Sequence, residues 1–185
     1  MRRHSTARGI APLLAAASLA IAGMPTTGTA QHADGSHATI PSSIQQEHRE
    51  VQEELARAAK LAGRTGVAAR ALAALLRPHF EREEQIALPP LSMLAPLARA
   101  QRVATPAWLL PMTDSLRREL PAMLREHVAI RAATQRLAEA ARAEAQPSTV
   151  QFTRKLALHA RSEEEIMYPA AVLVGELVRA RQVRP

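Results

Sequence analysis

Two stretches decide how this chain reads: HFEREEQIALP (His79–Pro89) and HARSEEEIMYP (His159–Pro169), set 80 residues apart. Each places a histidine four residues before a glutamate, His79 with Glu83 and His159 with Glu163. On a helix that spacing projects both side chains from one face. Leu72 and Leu76 before the first stretch, and Phe152 and Leu156 before the second, put that face on the apolar stripe. Burying an ionised carboxylate is costly unless it is paired or bound to a metal. No lysine or arginine recurs at equivalent inner positions of both stretches to neutralise Glu83 and Glu163.

Working outward, the same apolar face with one histidine appears on two further helical patterns. His48 lies among Ile44, Val51, Leu55 and Ala59, and His127 among Leu116, Leu120, Leu124, Ile130 and Leu137. His48 to His79 spans 31 residues and His127 to His159 spans 32. Glu47-His48 matches Glu126-His127 at an offset of 79, and Leu97, Arg99 and Ala100 match Leu177, Arg179 and Ala180 at 80. The chain is thus a tandem repeat of two helix pairs. The expected fold is all-α, an antiparallel up-down four-helix bundle of approximate two-fold symmetry with a short C-terminal helical extension.

The helix limits follow from breakers and caps. Ser42 or Ser43 should cap a first helix running to about Ala62, and Gly63 to Gly66 should close it and open a second. Pro78 predicts a kink in the second helix. Residues 89–111, with five prolines and Trp108, predict a short helical extension and a long crossing connection. Thr113-Asp114 should start the third helix, with Pro121 bending its first turns, and Gln146-Pro147-Ser148 should turn into the fourth. A last amphipathic segment, Val172 to Val178, follows Pro169.

The first 30 residues stand outside that fold. Arg2, Arg3 and Arg8 form a basic start, Ile10 to Ala22 an apolar run, and Gly28-Thr29-Ala30 a small-residue cleavage site. That is the pattern of a secretory signal peptide. The domain reading is therefore signal peptide 1–30, disordered lead-in 31–40 and helical bundle 41–185, with cleavage near Ala30 and a periplasmic or secreted product. No second apolar stretch is long enough to span a membrane. Three arginines of the formal +7 charge leave with the presequence. The remaining excess, spread along helices without interleaved aromatics, gives no nucleic-acid signature.

With no cysteine, disulfides, thiolate sites and iron–sulfur clusters are excluded, so any metal must sit on nitrogen and oxygen. Of seven histidines, His48, His79, His127 and His159 occur once per helix on the apolar stripe; His32 and His37 fall in the lead-in. Together with Glu83 and Glu163 these four are the candidate ligands of a two-metal site. If both glutamates bridge and each ion takes two imidazoles, positions remain open for a small exogenous ligand. Imidazole with carboxylate suits iron, manganese or zinc rather than calcium or magnesium, and iron is expected ahead of manganese and zinc.

The full set, one histidine, then His-x-x-x-Glu-Glu with a following proline, repeated over about residues 40–180, resembles the hemerythrin-like (HHE cation-binding) domain family. The resemblance implies a bridged di-iron centre held by His48, His79, Glu83, His127, His159 and Glu163. Two departures shape the expected function. Oxygen-carrying hemerythrins have a fifth histidine one turn after the third-helix histidine, where this chain has Arg131, and an aspartate where it has Glu163. The four-histidine, two-glutamate set is similar instead to di-iron proteins linked to nitrosative or oxidative damage repair. Those often carry a cysteine-bearing N-terminal segment, and this chain has no cysteine.

Further candidates surround the six. Glu84 and Glu164, one residue past the ligands, could orient a histidine or sit in solvent. Gln52 and Arg131, each four residues after a histidine, could approach the open positions or lie on the surface. Tyr168 could hydrogen-bond or take part in redox chemistry, but packing at the end of the bundle is favoured. The expected function is binding or redox handling of oxygen, nitric oxide or peroxide, with a redox partner the sequence does not identify. No proton relay is legible, so enzyme status stays open. The alternative is an iron store, or a sensor of oxygen or metal, without catalysis.

Overall fold

Period-3.6 apolar patterning dominates the chain, and the computed structural model, which describes residues 38–101 and 104–182, is helical wherever it is regular. No strand occurs among the described residues, all of which fall in one compact unit. The elements are α1 (Ser42–Ala59), α2 (Gly63–Ile86), a 3₁₀ turn (Pro89–Met93), α3 (Leu94–Ala98), α4 (Leu109–Ala143), α5 (Pro147–Ser162), a π-helical turn (Glu163–Met167) and α6 (Tyr168–Gln182). No helix among these residues is long and apolar enough to cross a membrane. The expected signal peptide and most of the lead-in, with His32 and His37, lie outside the described residues.

α1 packs on α2 and α5, and α4 packs on the same two helices; α6 lies against α4 and the 3₁₀ turn. Two apolar clusters result. One gathers Val51, Leu55, Leu72, Leu76, Ile130, Leu137, Phe152 and Leu156, and the other Ile86, Leu88, Leu91, Leu116, Met123 and Tyr168. Along α2 the pair His79 and Glu83 falls between Leu76 and Ile86, and along α4 His127 falls between Met123 and Ile130. The polar residues therefore occupy the level between the two clusters.

The ends of the helices differ in several places from the sequence-based limits. Neither Ser42 nor Ser43 caps α1: both lie inside its first turn, which Gln45 N–H closes by donating to Pro41 C=O at 3.0 Å. α4 starts at Leu109, ahead of Thr113, because Leu109 is fully buried against Val174 and Val178 on α6 and extends the core there. Thr113 is buried and turns its hydroxyl back to Leu110 C=O. Both α2 and α4 continue through their internal prolines, Pro78 and Pro121. Pro147 does stand at the first turn of α5, where its missing N–H costs nothing.

Two contacts fix how the halves meet. Gly63, at φ 73°, turns the chain into α2, whose first free N–H groups, Arg64 and Thr65, donate to the Glu144 carboxylate at 2.7 and 2.9 Å. That carboxylate, from the end of α4, caps α2 across 80 residues of sequence. At the other end, a Cβ on Gly175 would lie 2.3 Å from Thr113 Oγ1, so α6 approaches α4 more closely than a side chain permits.

Candidate metal centre

Each of the two HxxxE stretches ends in the same backbone device. Proline cannot donate an N–H, and the residue before it reaches back five positions: Leu88 N–H donates to Glu83 C=O, and Tyr168 N–H to Glu163 C=O. Such i−5 bonds widen the helix locally and occur often at functional sites. Here they sit at the two buried carboxylates.

The structure brings all six candidate ligands together. His48, His79, His127, His159, Glu83 and Glu163 are each 3% exposed or less. His79, Glu83, His127 and Glu163 form one group able to hold a metal ion, and His48, His159 and Glu163 form a second. All four imidazoles turn Nε2 inward. His79 Nε2 lies 3.4 Å from Glu83 Oε1, His127 Nε2 3.5 Å from Glu163 Oε2, and His159 Nε2 2.8 Å from Glu163 Oε1. His48 Nε2 stands between the carboxylates, 3.7 Å from Glu83 and 3.5 Å from Glu163. No lysine or arginine pairs with either glutamate among the described residues.

The outward nitrogens are just as regular. Nδ1 of His48 meets Glu84 at 3.2 Å, that of His79 meets Glu126 at 2.8 Å, and that of His127 meets Glu164 at 2.7 Å. Glu47 Oε1 lies 3.2 Å from His159 Nδ1, out of line for a hydrogen bond. Every imidazole thus has a carboxylate behind it. A carboxylate accepting from Nδ1–H leaves the Nε2 lone pair facing inward, the tautomer a metal needs.

Glu84 and Glu164 therefore reach the histidines, at Nδ1 of His48 and His127. Glu47 and Glu126 escaped the sequence reading as site residues, although the repeated Glu-His dipeptide was the signal for them. Tyr168 corrects the favoured expectation of packing alone. It is buried in the lower apolar cluster, but its hydroxyl donates to Glu83 Oε1 and lies 3.1 Å from His127 Nε2. Gln52 is exposed on α1, and exposed Arg131 pairs with Glu164, so neither faces the cluster directly.

The electrostatics are those of a site that attracts positive charge. Burial opposes protonation of His79, but the hydrogen bond and charge of Glu83 outweigh it and raise its pKa to about 9. Burial is likewise outweighed at His159, where Glu163 raises the pKa to about 9, and at His48, which also moves up. Burial and the neighbouring Glu163 charge push Glu83 up, whereas at Glu163 the histidines, His159 foremost, overcome burial and hold it at about 2.

The donor set passes a direct fit test. His48 Nε2, His159 Nε2, Glu83 Oε2 and Glu163 Oε1 are buried without a hydrogen-bond partner, and unpaired buried donors and acceptors of this kind are rare unless something else satisfies them. Imidazole nitrogen with carboxylate oxygen suits a first-row transition metal. Comparison with protein-family models, with curated proteins and with solved structures finds no match for this chain.

Proposed function

We propose that the chain is a hemerythrin-like four-helix bundle that holds two iron ions and binds, or processes by electron transfer, a small ligand: oxygen, nitric oxide or peroxide. The observation that carries the reading is the convergence of four Nε2 atoms on two buried carboxylates, each imidazole backed by a carboxylate at Nδ1. His48, His79, His127 and His159 would hold the ions and Glu83 and Glu163 would bridge them. A bound iron pair would supply the change of oxidation state and the open position for the ligand.

The protein's own part is positional and electrostatic. Glu84, Glu126 and Glu164 fix the imidazoles in orientation and tautomer before any ion arrives. Glu83 and Glu163 supply two negative charges in a water-excluded core, which favours a cationic occupant. Tyr168 holds Glu83 Oε1 from the apolar side, and Phe80, stacked on His48 at a ring separation of 4.3 Å, closes the opposite side. Arg131, paired to Glu164, takes the place of the oxygen carriers' fifth histidine, so a reactive centre is favoured over reversible oxygen carriage. We also read residues 1–30 as an export signal and the working compartment as periplasmic or extracellular.

The test is a ligand titration of the iron-loaded protein. A visible oxo-to-iron charge-transfer band that changes with oxygen, nitric oxide or peroxide supports the reading, and a spectrum indifferent to all three overturns its redox part. A storage or sensing role is the second reading. It is favoured by exposed Leu173 and Leu177 on α6, which line an apolar groove with Leu94 and Leu97 on α3, a surface suited to a partner.

A further inference from the structure

The repeat that builds the centre is broken at two pairs of equivalent positions. Tyr168, with its hydroxyl, corresponds to apolar Leu88, and Phe80, with its ring, corresponds to Ala160. The breaks make the two sides of the cluster unlike. On one side His79 Nε2 and His127 Nε2 are hydrogen-bonded to each other at 2.7 Å, and the Tyr168 hydroxyl engages Glu83 Oε1 and His127. Those polar atoms satisfy one another.

On the other side nothing is satisfied. His48 Nε2, His159 Nε2, Glu83 Oε2 and Glu163 Oε1 are buried, unpartnered and turned toward a common point beneath Phe80. Both sides see both carboxylates, because Glu83 and Glu163 each offer one oxygen to each. They therefore differ less in donors than in what an arriving ion must disrupt. On the His79–His127 side an ion has to break a made hydrogen bond, since two nitrogens sharing a proton cannot both give lone pairs to a metal. On the His48–His159 side it breaks none and relieves four unpaired polar atoms, which are costly to leave buried.

We propose that the two halves of the centre fill in a fixed order, a divalent cation taking the His48–His159 side first and the His79–His127 side second. The proposal rests on the two-metal reading above and adds that the positions are unequal. One ion per chain is then a defined state of the protein, held on the Phe80 side.

Cobalt(II) titration of the metal-free protein, followed by visible absorption and calorimetry, tests the order. The expected result is two steps, the first at least roughly tenfold tighter than the second. His48→Ala should remove the tight step, and His79→Ala should remove only the weak one. Because either variant could lose its fold, the unmodified protein is also read by NMR at one equivalent of cobalt. There the His48 and His159 ring signals should shift before those of His79 and His127. A single step of two equal ions, loss of the tight step in His79→Ala, or His79 and His127 shifting first overturns the order and leaves the two-metal reading standing. No cobalt binding by the unmodified protein overturns both.

Discussion

The two HxxxEE stretches begin alike and end differently. After Glu83 the chain leaves α2 at Ile86, tightens into a 3₁₀ turn and breaks off at α3; after Glu163 it makes a π-helical turn and runs straight on through Pro169 as α6. Both place the histidine, the carboxylate and the i−5 backbone bond in the same way. What differs is the residue before the proline. Leu88 completes an apolar cluster, whereas Tyr168 completes the same cluster and sends a hydroxyl to Glu83. The comparison teaches that the motif sets ligand placement, while single residues at its edge decide whether the two halves stay equivalent.

The strongest way to break the comparison is to take away what both halves share. Chelation of a metal-loaded sample should lower stability by about 4 kcal/mol at a thousandfold excess of metal over its dissociation constant. In a chain of this size that is a fall of roughly 10 °C in the melting temperature, read by calorimetry before and after metal removal. An unchanged melting temperature would mean that the buried carboxylates do not depend on an ion.

The next test acts on the residue that separates the halves. Tyr168→Phe keeps the ring in its apolar cluster and removes the donor to a buried carboxylate, so the metal-free protein should lose about 1.5–3 kcal/mol in chemical denaturation. The same measurement on Leu158→Ala, at an exposed position, should stay within about 0.5 kcal/mol. If the two variants matched, the Tyr168–Glu83 contact would carry no weight.

A finer probe compares two carboxylates related by the repeat. Glu126 accepts squarely from His79 Nδ1 at 2.8 Å, while Glu47 lies 3.2 Å from His159 Nδ1 and out of line. Glu126→Ala should weaken metal binding roughly tenfold or more, and Glu47→Ala should cost less. Competition against a chelator of known affinity reads both, and the reverse ranking would contradict the geometry.

The smallest effect lies far from the centre, at the cap between the halves. Hydrogen bonds from Thr65, its hydroxyl first and then its N–H, together with Arg64 N–H, hold the Glu144 carboxyl at about 2, below its ordinary 4.5. A depressed acid pKa stabilises the fold above pH 4.5 and loses that contribution as pH falls from there through about 2. Glu144→Gln should therefore be less stable than the unmodified chain at neutral pH, with the gap closing across that acid window in denaturation series. A gap independent of pH would rule out the charge as its source.

How much of this was legible in the sequence depends on periodicity. The helical class and the meeting of His48, His79, Glu83, His127, His159 and Glu163 follow from apolar spacing and repeat offset, which local sequence states directly. Helix starts were less legible, because tertiary burial of Leu109 overrode the Thr113-Asp114 start signal and Pro41 displaced the expected serine cap. Continuation through Pro169 depended on the π-helical turn, a backbone choice that no residue type announces. The roles of Glu126 and Tyr168 were hidden for another reason: each acts on a histidine or carboxylate of a different helix, so its partner lies 47 or 85 residues away.

The central claim is that six side chains from four helical segments form one two-metal site. Anomalous diffraction from crystals of protein purified without added chelator, collected on both sides of the iron absorption edge, tests it most directly. The account predicts two iron peaks per chain, both within ligand reach of His48, His79, Glu83, His127, His159 and Glu163. No peak at this position, or metal bound only at exposed surface residues, would contradict it.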